Sequence, residues 1–273
     1  MGDIGNAVER LATIMQRLRA PGGCPWDREQ DLKSLRPYLI EEAYEVLEEM
    51  DRVAEGGPWS PLAEELGDLL FQIVFHAQLA SEQKQFDLSS VANAIADKLE
   101  RRHPHVFGEA AVNGSTQVLE NWARLKAAER KLKNGHVGSV LDGVPRDAPG
   151  LQRAERLTEK ASRIGFDWPD VSGVKDKLKE ELGELDEAIA SEDKAAMEHE
   201  LGDVLFALTN LARHLGIAPE DAMRAANGRF TTRFHVVERG LEAQGVPFGE
   251  ASLEQMNQLW DQAKAEEKAR KRG

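Results

Sequence analysis

The segment Glu65-Leu66-Gly67-Asp68-Leu69-Leu70-Phe71 returns as Glu200-Leu201-Gly202-Asp203-Val204-Leu205-Phe206, an offset of 135 residues. A Glu-Glu-x-x-Glu cluster stands a short way upstream of each copy: Glu41, Glu42 and Glu45 in the first half, and Glu180, Glu181 and Glu184 in the second. The surrounding strings Leu39 to Leu47 and Leu178 to Leu185 also look alike. So long an offset lies far beyond the period of a stacked solenoid, and it predicts a duplicated domain instead. A chain of 273 residues has room for two modest cores, since domains usually hold about 100 to 150 residues. The reading is a first domain over 1–133, a linker over 134–150 dense in turn-forming residues, and a second domain over 151–273 with a charged tail.

Apolar residues recur at helical spacing, as in Val8, Leu11, Ile14, Met15 and Leu18, and alternating runs of β-branched residues are scarce. That pattern predicts an all-α protein built of two tandem helical bundles. The formal net charge of −13 argues against a nucleic-acid partner, which needs a dense basic face. A small polyanion remains compatible with it when a divalent cation supplies positive charge. No run of about 18 apolar residues is present to span a bilayer. The charged helical pattern from Ile4 to Leu18 is unlike a signal peptide, and the single cysteine, Cys24, forms no intrachain disulfide. A cytoplasmic protein is expected.

The repeated Glu-x-x-Asp segments lie on helices that are apolar nearly all round. Glu65, Asp68 and Gln72 share a narrow polar strip, as do Glu200, Asp203 and Asn210, while large aliphatic and aromatic residues take much of the remaining circumference. Such helices are normally buried, and carboxylates near a core must be paired, protonated or bound to a metal. Glu and Asp at i and i+3 project from one side of a helix. Hard oxygen donors with no Cys or His inside either motif suit Mg²⁺, with Mn²⁺ as a substitute, and zinc is a poor match. An acidic half-helix such as Glu41 to Glu49 taken alone is usually a solvated face; its pairing with the Glu-x-x-Asp strip, twice over, is what points to a metal.

Glu-Glu-x-x-Glu followed at a short interval by Glu-x-x-Asp resembles the signature of the all-α nucleoside triphosphate pyrophosphohydrolases, and in particular their MazG family. Cys24-Pro-Trp-Asp27, Glu100-Arg-Arg-His-Pro-His-Val-Phe107 and the tandem arrangement extend the resemblance over nearly the whole chain. It implies hydrolysis of ribo- and deoxyribonucleoside triphosphates to monophosphate and pyrophosphate with Mg²⁺, a role in clearing unwanted nucleotides, and a homodimer. Glu181, Glu184, Glu200 and Asp203 would hold the metal with Glu180 close by, and Arg229, Arg233, Trp260 and Lys264 would contact the nucleotide. The family places Lys at the first position of that set, so Arg229 is a departure. A second candidate site in the first half comprises Glu41, Glu42, Glu45, Glu65, Asp68, Lys98, Arg102, Trp122 and Lys126. In tandem members activity is associated with the second domain and assembly with the first, which favours the second site here by analogy alone.

Three rival features are weaker. His103-Pro-His105 marks a helix end more readily than a metal site, and Cys24 beside Pro25 and Trp26 reads as a packed loop. A di-iron bundle needs two Glu-x-x-His pairs, and Glu100-x-x-His103 is the only one. The non-enzymatic alternative is an inactive nucleotide-sensing or scaffold protein of the same fold, with which the intact ligand sets disagree.

Overall fold

The computed structural model describes residues 3–110, 112–114, 117, 118, 121, 122, 124, 125, 129 and 138–270. Lys126, in the second candidate set, lies outside the described residues. Among those described there are eleven α-helices, one short 3-10 turn and no strand, so the fold is all-α. The chain divides into two compact units, Met1–Glu129 and Arg130–Gly273.

The first unit contains α1 (Ile4–Arg19), α2 (Pro25–Glu29), α3 (Arg36–Ala54), α4 (Ser60–Glu82), α5 (Leu88–Arg102) and the single turn α6 (Pro104–Phe107). Aspartates start two of these helices: Asp3 Oδ1 accepts from Gly5 N at 3.0 Å and Asp87 Oδ1 from Ser90 N at 2.7 Å, which satisfies donors the first turn leaves open. Prolines in the first turns of α3 and α4 do not interrupt those helices, because no intrahelical bond is required of their nitrogens there. Helices α3 and α4 form a hairpin, and α1 packs across α4. Met15, Leu35, Val74, Phe75 and Leu79 make the core, with Leu11, Leu18, Phe71 and Leu88 against it.

Arg19 closes this core from one side. Its guanidinium lies 5.5 Å from the centre of the Phe75 ring and bonds both oxygens of Glu82 at 2.7 Å. It also donates to the backbone oxygens of Asp27 and Gln30, tying α2 to α4. These bonds to Arg19 pull the Glu82 carboxyl below the usual range.

The second unit contains α7 (Gly150–Ser162), α8 (Val171–Ala190), α9 (Lys194–His214), α10 (Pro219–Ala243), the 3-10 turn Phe248–Glu250 and α11 (Leu253–Arg270). Asp170 caps α8 and Asp193 caps α9. Helices α8 and α9 form a hairpin like α3 and α4, with α7 across α9. Val237, Leu241 and Leu259 form a compact cluster between α10 and α11. The approach is close because Gly240 has no side chain; a Cβ there would meet Leu259 Cδ2 at 2.5 Å.

One expectation is corrected. The apolar helices α4 and α9 are not enclosed: Leu66, Leu70 and Ile73 on the first, and Leu201, Leu205 and Leu208 on the second, are exposed. Within each unit the described helices pack against the other flanks, and these faces have too few neighbours to cover them. The Glu-x-x-Asp carboxylates accordingly lie at a rim, with Glu65, Glu200 and Asp203 half-buried and Asp68 exposed.

Candidate functional site

Each hairpin brings three carboxylates together across its two helices. In the first unit Glu42 and Glu45 of α3 meet Glu65 of α4, and in the second Glu181 and Glu184 of α8 meet Glu200 of α9. In each trio one carboxylate oxygen from each residue lies within 4.8 Å of the other two. The i, i+3 spacing sets the two ligands of the upstream helix on one side, and the helical hairpin carries the third to them.

Crowded like charges leave their mark. Loss of water raises the Glu42 carboxyl above the usual range, and the charges of Asp68 and Glu45 raise it further, against a hydrogen bond from Gln72. Glu65 is raised by the same loss of water and by Glu45 and Asp68. Glu184 is raised first by loss of water and then by Glu181 and Glu200, with Lys177 acting in the opposite sense. Such a set holds its negative charge at a cost that a divalent cation removes, and all its donors are hard oxygens. The residues present therefore fit a hard divalent cation, with Asp68 and Asp203 as the adjoining carboxylates.

The remaining predicted residues separate into groups. Glu180 stands outside its trio and accepts from Lys177 Nζ at 2.6 Å, and Glu41 is exposed on α3. Arg233 and Trp260 come together on α10 and α11, with the guanidinium 5.7 Å from the ring centre, and Phe230 packs on the same indole at 5.2 Å. Arg233 bonds Glu267 at 2.8 Å and Lys264 pairs with Asp261 at 3.3 Å. Arg229 is exposed. In the first unit Arg102 bonds Glu129 at 2.5 Å, His103 packs edge-on against Trp122 at 5.0 Å, and Lys98 is exposed. The Glu129 carboxyl is pulled down to about 2, chiefly by Arg102. The His103 ring is taken up by the Leu99 carbonyl 2.6 Å away and by Trp122, in keeping with a helix end.

Two features escape the motif reading. Lys177, one turn before Glu181, bonds Glu180 at 2.6 Å and Glu181 at 2.7 Å, and these bonds raise its pKa. The i, i+4 spacing from Lys177 to Glu181 was the available signal. Beside this lysine a cavity of about 370 Å³ opens between α7, α8 and α9, with Glu181, Asp203, Asn210 and Trp168 among its lining. No periodicity announces a cavity, because it depends on which side chains are short.

With the geometry established, comparison with known proteins decides the family. The model of the MazG nucleotide pyrophosphohydrolase domain matches residues 30–107 and 171–237, one segment over each carboxylate trio. The chain belongs to the MazG family. It is 46% identical to the nucleoside triphosphate pyrophosphohydrolase of Escherichia coli K12 over 265 residues, covering 96% of this chain and 98% of that one. It is 42% identical to the nucleoside triphosphate pyrophosphohydrolase/pyrophosphatase MazG of Thermotoga maritima, over 97% and 98% of the two chains. A Bacillus subtilis protein, the uncharacterized YabN, shares 41% identity across 94% of this chain and 51% of its own length. Family membership makes the chain a nucleoside triphosphate pyrophosphohydrolase, and both MazG segments contain a complete Glu-Glu-x-x-Glu and Glu-x-x-Asp set.

Proposed function

We propose that the second carboxylate site carries the hydrolysis, cleaving ribo- and deoxyribonucleoside triphosphates of several bases to monophosphate and pyrophosphate in a divalent-metal-dependent reaction. The observation that carries this reading is the junction of the Glu181, Glu184 and Glu200 trio with Lys177 and an open cavity. Glu181, Glu184, Glu200 and Asp203 would hold the cation, which when bound would neutralise phosphate charge and ease ionisation of the attacking water. Lys177 reaches the same edge from α8 and donates to phosphate oxygens. A carboxylate of the cluster accepts the proton of the water that attacks the α-phosphorus, and pyrophosphate leaves. Arg233, Trp260, Lys264 and Arg229 on α10 and α11 supply further cationic and aromatic contacts to the nucleotide. The exposed apolar flanks of α4 and α9 support a homodimer in which a second copy covers them.

Product analysis tests the reading. Purified full-length protein is incubated with Mg²⁺ and a panel of ribo- and deoxyribonucleoside triphosphates. Monophosphate with pyrophosphate is expected, with none when the metal is chelated. Diphosphate with phosphate, or turnover that survives chelation, would refute it.

A further inference from the structure

We propose that the cavity between α7, α8 and α9 receives the nucleobase, and that Asn210 makes the site prefer bases presenting a carbonyl at the edge it reads, as in uracil and hypoxanthine, over those presenting an amino group there, as in cytosine and adenine. This rests on the reading above that the second carboxylate site carries the reaction.

The volume of about 370 Å³ falls in the range of about 300–1,000 Å³ usual for small-molecule pockets. Its walls are mostly apolar, and Glu181 and Asp203 stand in its lining. A nucleotide whose phosphates lie at the carboxylate end therefore has its base directed into a space walled by Trp168, Phe166 and Phe206. Trp168 forms part of that wall because Gly173 lets the indole lie against α8; a Cβ at Gly173 would meet Trp168 Cδ1 at 2.4 Å.

Asn210, 4% exposed, lines this space together with Thr158, whose hydroxyl is taken up by the Ala154 and Glu155 carbonyls of its own helix. Arg213 Nε lies 2.9 Å from its Oδ1. A guanidinium has donors only, so the amide oxygen must face it and the NH₂ group is turned away. Arg213 is itself fixed, since its Nη2 bonds Asp167 Oδ1 at 2.5 Å, and His214 Nε2 stands 2.9 Å from the same oxygen. Among the described residues no hydrogen bond uses the Asn210 amide protons. These amide protons, at the cavity wall, donate to a base carbonyl and are left unpaired by a base amino group, which is also a donor.

The test compares kcat/KM within two pairs, UTP against CTP and ITP against ATP, for the Mg²⁺-loaded full-length protein. UTP and ITP are expected to lead by about tenfold, the scale set by leaving a buried donor unpaired. Asn210→Asp retains the oxygen facing Arg213 but exchanges the donor for an acceptor, and should lower or reverse both ratios by at least about fivefold. Asn210→Ser, smaller and neutral, should bring the ratios toward one. The ratio is unaffected by a partly unfolded preparation. Ratios within twofold of one in the unaltered protein, or unchanged in both variants while pyrophosphate is still released, would overturn the assignment. Should no nucleotide release pyrophosphate, the catalytic reading fails, and the same ratios taken from equilibrium binding of the four nucleotides decide the base preference independently.

Discussion

The two carboxylate sites are near copies in their ligands and differ in what stands behind them. Both present three converging glutamates and an adjoining aspartate from a helical hairpin. Directly after the repeated segment the two helices diverge. Ala207, Asn210 and Arg213 line a cavity in the second unit, whereas Gln72, Phe75 and Gln78 occupy the corresponding positions in the first. Phe75 is fully buried under Arg19 and packs edge-on against Phe71 at 5.8 Å. Upstream, Lys177 bonds its trio while the matching Tyr38 turns to Trp26, 5.7 Å away. A ligand set can thus be duplicated intact while the residues standing behind it are not. The acidic motif does not separate the halves; the residues a turn or two away do.

The strongest way to sharpen this contrast is to remove the filling. Phe75→Asn should destabilise the first unit by about 3–5 kcal/mol, as large-to-small changes of a buried aromatic do, with an unfolding titration as the measure. A loss under about 1 kcal/mol would show that Phe75 is not the plug it is taken to be. Next in size is the ligand comparison: Asp203→Asn should lower pyrophosphate release by about a hundredfold or more, the scale of losing a main electrostatic group, and Asp68→Asn should change it less than twofold. The reverse ranking would move the reaction to the first unit.

Importing the first unit's residue into the second is the third comparison. Asn210→Phe should raise KM by roughly ten- to hundredfold, the range over which an apolar pocket discriminates. An unchanged KM in a folded variant would remove the cavity from substrate binding.

Smaller effects follow from charge. Glu42, Glu65 and Glu184 are all raised by lost water and like-charged neighbours. The folded protein therefore binds protons at these groups more tightly than the unfolded chain, so their destabilising contribution at neutral pH fades as pH falls through the raised values toward the usual carboxylate range. Glu82 and Glu129, both lowered, contribute stability that is lost only on further acidification through their own folded values, about 2 for Glu129. Melting curves should therefore show Mg²⁺ raising Tm at neutral pH and raising it less near pH ~5, where protons compete. A shift of equal size at both pH values would contradict the metal assignment. The smallest effect belongs to Gly173→Ala, which pushes Trp168 from its wall and should raise KM a few-fold with kcat nearly unchanged; a fall in kcat alone would count against that role.

Helix type, the duplicated hairpins and the carboxylate sets were legible because each depends on spacing along one helix or on a repeated string. The strip shared by Glu200, Asp203 and Asn210 could be drawn on a helical wheel. What it could not show is that Ala207 leaves room beside Asn210, or that Asp167, far along the chain, holds Arg213 and through it the amide. Burial is not legible for a related reason: an apolar circumference says a helix wants neighbours, and Leu70 and Leu205 find too few among the described residues of their own units. Glu129 and Glu267, which engage Arg102 and Arg233, were missed because an acidic residue in a charged terminal stretch looks like any solvated one.

The exchange of Asn210 and Ala207 for Phe75 and Gln72 also bears on how such a duplication ages. Passing from one arrangement to the other by single substitutions means crossing states worse than either end. Asparagine at 75 alone leaves a void and a buried amide with glutamine, not arginine, at 78 to orient it. Phenylalanine at 210 alone drives a ring into a space whose arginine is already committed to Asp167. On the proposed reading, in which the second copy carries the reaction, the difference between the copies is held by packing as well as by chemistry, although the carboxylate set of each is complete.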